Sequence, residues 1–372
     1  MEYTIPFNAD SMAANIVDTL REITDATLSS CIVGAEETCR LLKEHIKSEE
    51  LNDVLKALDR FEVDEVNCKD AKNLRSLTIS IDQLCAQKEE LSSLAHDVSP
   101  DLIEKVNEFC HILKKTDGKV VEYALKDMTV ATGLYHVFIK EQCQQVCSSL
   151  AQGMTILCEY SKSIAAFLVE SPLLMNVVSR LENSRADSLC DYHISLLNLI
   201  PAVLSSDFPP PIDIIQYLNK NLCSKLWRYT ANGYNNALKT LSQIYRWRMD
   251  GMEEEEGVIQ SLKLDSDPNI GAKLTEFNLR NPDQYQFELL EGIFNNKELV
   301  NAIFYKNDIP VLMHICCQHL LNEEDMNVKR SILKLFIAAG KNELTDTQTL
   351  MVVSGCDMTD PLVQDAYNAM NI

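Results

Sequence analysis

Between Gly34 and Pro100 the chain has neither glycine nor proline, and its apolar residues recur there every three or four positions. Leu51, Val54, Leu55, Leu58 and Phe61 fall on one helical face, as do Leu74, Leu77, Ile81, Leu84, Leu91 and Leu94. A half-buried strand needs apolar and polar residues in alternation between turn signals, and such segments are hard to find. The pattern predicts an all-α chain.

The two ends of the chain differ in character. Residues 1–117 carry charged outer faces and few aromatics, and form an N-terminal helical region. From about Gly118 the helices become more apolar and aromatic, with Asp117 and Gly118 expected to end the helix of Leu102, Val106 and Phe109. Residues 118–372 contain a weak internal repeat. "SPLLMNVVSRLENSRADSLCDYHISLLNLI" and "IPVLMHICCQHLLNEEDMNVKRSILKLFI" each open on a proline (Pro172, Pro310), continue through an apolar pair ending in Met, and lead over a polar turn to a second apolar helix. "PIDIIQYLNKNL" starts another such unit at Pro211. Proline is tolerated in the first helical turn, where its missing N–H has no intrahelical partner. Helical hairpins at a spacing of about 40 residues predict an armadillo/HEAT-like α-solenoid over 118–372. Residues 250–283 hold an acidic run, Gly251, Gly257 and Asp267–Pro268, and read as an exposed acidic loop.

A formal charge of −21 argues against nucleic acid and anionic membrane surfaces, whose binding needs a positive face. A basic protein surface fits better. "MEYTIPFNAD" has no basic and apolar leader pattern, and the apolar stretch "SIAAFLVESPLLMNVV" is interrupted by Glu170 and Pro172, short of the roughly 20 residues that span a bilayer. The odd set of 13 cysteines has no C-x-x-C pair, which suits reduced thiols in the cytoplasm.

One segment invites a catalytic or metal reading: His314, Cys316, Cys317 and His319 lie within six positions. At 100° per residue, His314 pairs with Cys317 and Cys316 with His319, on nearly opposite sides of a helix. Four ligands cannot close around one zinc ion from there. Leu312, Ile315, Cys316 and His319 form a stripe, so the cysteines read as core residues. Cys143 and Cys147 fall on a similar stripe with Ile139, Val146 and Leu150, and His111 and His193 read as core or boundary residues. No phosphate loop, zinc-protease or serine-hydrolase motif is present. The expectation is therefore no catalytic residue, no cofactor and no metal.

Both tryptophans and a cluster of arginines lie in "LWRYTANGYNNALKTLSQIYRWRMDG". Tyr234, Ala237, Leu238, Leu241, Ile244 and Tyr245 form its buried stripe, leaving Arg246 and Trp247 off it. Aromatic and Arg side chains dominate interface energetics, so Trp247, Arg246, Trp227 and Arg228 are the candidate partner-binding residues. The same geometry would let Trp247 pack on a neighbouring repeat.

"LLEGIFNNKELVNAIFYKNDIPVLMHICCQHL", Leu289 to Leu320, resembles the signature segment of the WISH/DIP/SPIN family of armadillo-repeat activators of the actin-related protein 2/3 complex. Phe304, Tyr305, Asn307, Asp308 and Leu312 match its pattern, while Lys306 stands where small polar residues are usual. The segment reads as helix termination and re-entry, with Asp308 capping the next helix. No Src-homology-three domain or proline-rich region is seen, so the chain is most similar to the short fungal members. That resemblance implies binding and activation of the complex without a preformed mother filament, giving linear seed filaments at cortical endocytic actin patches, with actin engaged indirectly. The C-terminal "DPLVQDAYNAMNI" lacks the acidic, Trp-ending tail of other activators, so any activation would run through a folded surface. Two other classes stay open: a generic armadillo scaffold binding a peptide or helix, and an enzyme using a cysteine.

Overall fold

The computed structural model describes residues 7–91, 99–183, 189–248, 257–264, 267–280 and 283–371. Among them the regular elements are all α-helices, and no strand occurs. Two compact units divide the chain, Met1–Ile164 and Ala165–Ile372.

The first unit contains α1 (Ala9–Thr24), α2 (Leu28–His45), α3 (Glu49–Asp59), α4 (Lys69–Leu91), α5 (Ser99–Leu113), α6 (Gly118–Ala124), α7 (Thr129–Lys140) and α8 (Gln144–Tyr160). Side-chain caps start the first three. Asn8, Thr27 and Ser48 each accept from the N–H three residues on, which satisfies a donor the helix cannot. Those three helices close on Val17, Cys31, Cys39, Val54 and Leu58. Next, α4 packs on α5 and α7, and α8 on both α5 and α7. Lys88 of α4 reaches Glu141 at 2.8 Å, both nearly buried.

Two expectations change here. Asp117 does not close α5, which already ends at Leu113; it opens α6 by accepting from Lys119 N–H at 2.9 Å. The composition change at 118 thus falls inside the first unit, whose division from the second comes at 164/165. Cys143 and Cys147 do not share one continuous stripe with Ile139 either. Glu141 breaks the helix by bonding the N–H groups of Gln142 and Cys143, and Cys143 becomes the N-cap of α8.

The division falls within α9 (Lys162–Glu170). The second unit continues with α10 (Leu173–Glu182), α11 (Asp191–Leu204), α12 (Ile212–Ile215), α13 (Lys220–Ala231), α14 (Asn235–Arg248), α15 (Val258–Leu264), α16 (Pro268–Arg280), α17 (Gln284–Phe294), α18 (Lys297–Ile303), α19 (Asp308–Asn322), α20 (Met326–Lys341), α21 (Thr347–Ser354) and α22 (Pro361–Met370). They pack in sequence order as two rows. One row runs α11, α14, α17, α20, α22, and the other α13, α16, α19, α21. Neighbours within each row touch, and α13 with α14, α16 with α14, α19 with α20 and α21 with α22 pair across the rows, the arrangement of an α-solenoid. Both faces must then be apolar. On α19 this buries Leu312, Met313, Ile315, Cys316, Cys317 and Leu320, each large aliphatic contributing about 2 kcal/mol.

The prolines mark helix starts. Pro172 and Pro211 directly precede α10 and α12, and Pro310 is the third residue of α19. The acidic loop expected over 250–283 is a correction, because α15 and α16 occupy much of it. Asp267 begins α16 by accepting from Asn269 N–H at 2.8 Å, and Ile270, Leu274 and Phe277 give that helix a buried face. The acidic run at 253–256 lies outside the described residues. Among the described residues no single helix is long and apolar enough to cross a membrane; α9 and α10 qualify only as a pair bent by 70°.

Candidate partner-binding surface

The four candidates part company in the structure. Trp227 is fully buried on the stripe Leu222, Cys223, Leu226, Thr230, and its indole N–H donates to Val258 O of α15 at 3.1 Å. It is a core residue and no part of a partner-binding surface. Trp227 stands at the edge of that one buried face, where α13 packs on α15. Arg228, next on α13, is exposed. Arg246 and Trp247 do come together at the end of α14, in the other row. The Arg246 guanidinium carbon lies 4.0 Å from the Trp247 ring centroid and 4.4 Å from that of Tyr285 on α17. Half-buried between two aromatic faces, the cation is held in one place by the ring quadrupoles. Trp247 is also tied inward, its N–H donating to Leu204 O at the end of α11 at 3.1 Å. One indole therefore fastens α14 to α11 and presents a face to Arg246.

Neither Tyr285 nor the exposed Phe208 is among the sequence candidates. In "DFPPPIDIIQY", Phe208 is 59% and Ile212 79% exposed, on either side of three successive prolines. Asp207 lies close enough to help raise the Tyr285 phenol, although burial is the larger cause. Three prolines beside a Phe were the available signal.

Along the same row, Tyr245 crosses α17 at Gly292, where a Cβ would lie 2.3 Å from its hydroxyl oxygen. Burial, followed by Glu291 and Glu288, pushes the Tyr245 phenol up to about 12. Beyond it, Gln284 and Glu288 of α17, Arg330 and Lys334 of α20, and Pro361 of α22 line a cavity of about 480 Å³. Burial raises the Glu291 carboxyl, an effect that Lys334 and Lys341 oppose. The exposed edge of this row thus offers stacked aromatics, one fixed guanidinium and alternating charges.

The signature-like segment forms α17, α18 and α19. Phe304 is buried where α18 ends, with its ring centroid 5.6 Å from that of Phe294. Behind it stands Gly271 of α16, where a Cβ would lie 2.2 Å from Ile303 O and 2.8 Å from Phe304 Cδ1. Only a glycine lets α16 approach this corner. Tyr305 is 56% exposed. The expected Asp308 cap does not form. The chain enters α19 through a turn in which Asp308 N–H donates to Tyr305 O, whereas side-chain capping needs an extended residue before the helix. Asp308 Oδ2 has no hydrogen-bond partner among the described residues.

Within the cysteine–histidine cluster the two cysteines are helix core and His314 is not. Cys316 and Cys317 are buried; burial raises both thiols, Cys317 to about 11, which keeps them from the reactive thiolate form. His314 is exposed and hydrogen-bonds Gln318 and Gln348, while His319 sits edge-on to Phe287. Elsewhere, His111 is exposed beside Asp25 and Lys115 instead of lying in a core, and His193 is half-buried with Nδ1 3.1 Å from Cys190 Sγ. Burial and Lys225 lower the His193 pKa, favouring a neutral imidazole there.

No family model and no curated protein sequence matches the chain. Among solved structures it is similar to an engineered protein at 14% identity and a TM-score of 0.48, over 98% of this chain and 84% of that one. A likeness of that degree carries no argument about fold or function.

Proposed function

We propose that this chain is an armadillo-type activator of the actin-related protein 2/3 complex. In this reading it binds the complex through the row of α11, α14, α17, α20 and α22 and favours its active arrangement, so that linear filaments start without a mother filament. The single observation that carries the reading is the segment Leu289–Leu320, whose resemblance to the activator family is joined to a definite structural role. Phe304 closes α18 against Phe294, and Gly271 makes room for it. Activation through a folded surface requires tighter binding to the active than to the inactive state. The formal charge of −21 suits a basic face on the complex, with association slowing as salt rises. The chain acts in this reading as a binding protein and not as an enzyme, in the cytoplasm at cortical actin patches.

Equilibrium binding of purified chain to fluorescently labelled complex tests the proposal. Binding that weakens in Arg246→Glu, with the fold intact by circular dichroism, supports it and places the contact on the α14–α17 edge. No binding by the wild-type chain removes the actin reading. The exposed Phe208 and Ile212 beside that edge favour the second reading, a scaffold taking a peptide or helix of another protein.

A further inference from the structure

A cavity of about 640 Å³ opens in the first unit between α1, the end of α3, the segment leading into α4, and the start of α6. It falls within the range of small-ligand and side-chain pockets, roughly 300–1,000 Å³. Its floor is apolar, formed by Ala14, Leu28, Ala57, Phe61, Val63 and Val120. Its walls carry six carboxylates against two guanidiniums, and both guanidiniums are already held. Arg21 bonds Asp70 through Nε at 3.2 Å and Nη2 at 3.0 Å, and also Ala26 O. Arg60 pairs with Asp10 at 3.3 Å.

The remaining carboxylates differ in their ties. Asp64 accepts from Val66 and Asn67 and is held below its usual pKa by the Asn67 side chain first. Asp117 caps α6, and Glu62 is exposed. Asp18 stands apart: it is half-buried and makes no hydrogen bond or ion pair with a described residue. Burial, and then Asp70, raise its pKa, while Lys69 and Lys72 on α4 act weakly the other way, Lys69 being paired with Glu22 at 3.0 Å. An ionised group in that position costs stability unless something cationic reaches it.

We propose that this cavity is a docking site for a basic protein segment, taking an arginine whose guanidinium meets Asp18 and stacks on Phe61 while neighbouring apolar side chains cover Leu28 and Val63. Charge complementarity names a cation, and the floor selects its kind. A bare polyamine would leave the apolar floor wet, whereas an arginine flanked by leucines covers it. Arginine outranks lysine because its planar fork bonds a carboxylate in two places and stacks on a ring. The site is independent of the surface on the second unit.

The test is calorimetric titration of the full chain with a short leucine-flanked arginine peptide, its lysine and glutamate counterparts, and spermine. The arginine peptide should bind several-fold tighter than the lysine peptide, and the glutamate peptide should not bind. In Asp18→Asn the affinity should fall about tenfold, while the melting temperature holds or rises because a repulsion with Asp70 is removed. Glu62→Gln, an exposed change that leaves the packing untouched, should lose about threefold and serves if Asp18→Asn fails to fold. Unchanged affinity in both variants overturns the proposal. So does spermine binding as tightly as the arginine peptide, which would make this a small-cation site.

Discussion

Gly271→Ala tests the corner on which the signature-like segment turns. A methyl there would meet Ile303 O at 2.2 Å, Phe304 Cδ1 at 2.8 Å and Ile303 C at 3.0 Å. The carbonyl belongs to the buried last residue of α18 and cannot swing aside, so α16 and α18 must separate by about an ångström. Overpacking that moves backbone costs about 1–3 kcal/mol, and a clash with backbone on one side and a ring on the other belongs at the upper end. Alanine recovers about 1 kcal/mol of helix propensity, leaving a net loss of about 2 kcal/mol. For a unit of this size that lowers the melting temperature by about 4–8 °C. Circular dichroism melts of wild type, Gly271→Ala and Gly118→Ala measure it. Gly118 has nothing within 4 Å of its would-be Cβ, and its substitution should cost little or nothing. A Gly271→Ala protein melting at or above wild type would refute the close approach of α16 to this corner.

Glu141→Gln leaves the Lys88 ammonium nearly buried without its counter-ion and should cost about 3 kcal/mol by urea denaturation. Burial raises the Glu141 pKa, but bonds from Lys88, Cys143 N–H and Gln142 N–H outweigh this and hold it below the usual 4.5. A carboxyl depressed in the folded state stabilises above its unfolded value and loses that contribution as pH falls, so wild type should weaken more steeply than Glu141→Gln below about pH 4.5. Cys316→Ala should lose about 1–2 kcal/mol through packing alone, with binding to partner retained at a permissive temperature; loss of binding by the folded variant would contradict a packing role. In the native protein a thiol reagent should reach exposed Cys190 first and buried Cys316 and Cys158 only on unfolding, read by mass spectrometry. Trp227→Ala should cost about 3–5 kcal/mol in the same denaturation assay, whereas Trp247→Ala, half-buried, should cost less.

Much of the helical class was legible because it rests on local signals. Leu74, Leu77 and Ile81 recur at helical spacing and are all buried, and the three repeat prolines each lie within two residues of a helix start. The acidic stretch misleads because charge and Asp267–Pro268 are loop signals, although an Asp before a Pro is also how a helix begins. Ile270, Leu274 and Phe277 were the overlooked periodicity. The site was less legible for a different reason. Trp227 sits at the edge of its helix's buried face and Trp247 off the buried stripe of its own, and a helical wheel cannot say which of them meets a neighbour. The stacking of Arg246 on Tyr285 joins residues nearly forty positions apart. The acid-walled cavity draws on α1, α3, α4 and α6, and no single window of sequence contains it.

Actin assembly kinetics test the central claim most directly. Pyrene-labelled actin is followed with the purified chain, with and without the actin-related protein 2/3 complex, and without preformed filaments. The account predicts a shortened lag only when chain and complex are both present, unbranched filaments by microscopy, and a weaker effect in folded Arg246→Glu. A lag that the wild-type chain leaves unchanged in the presence of the complex would contradict it.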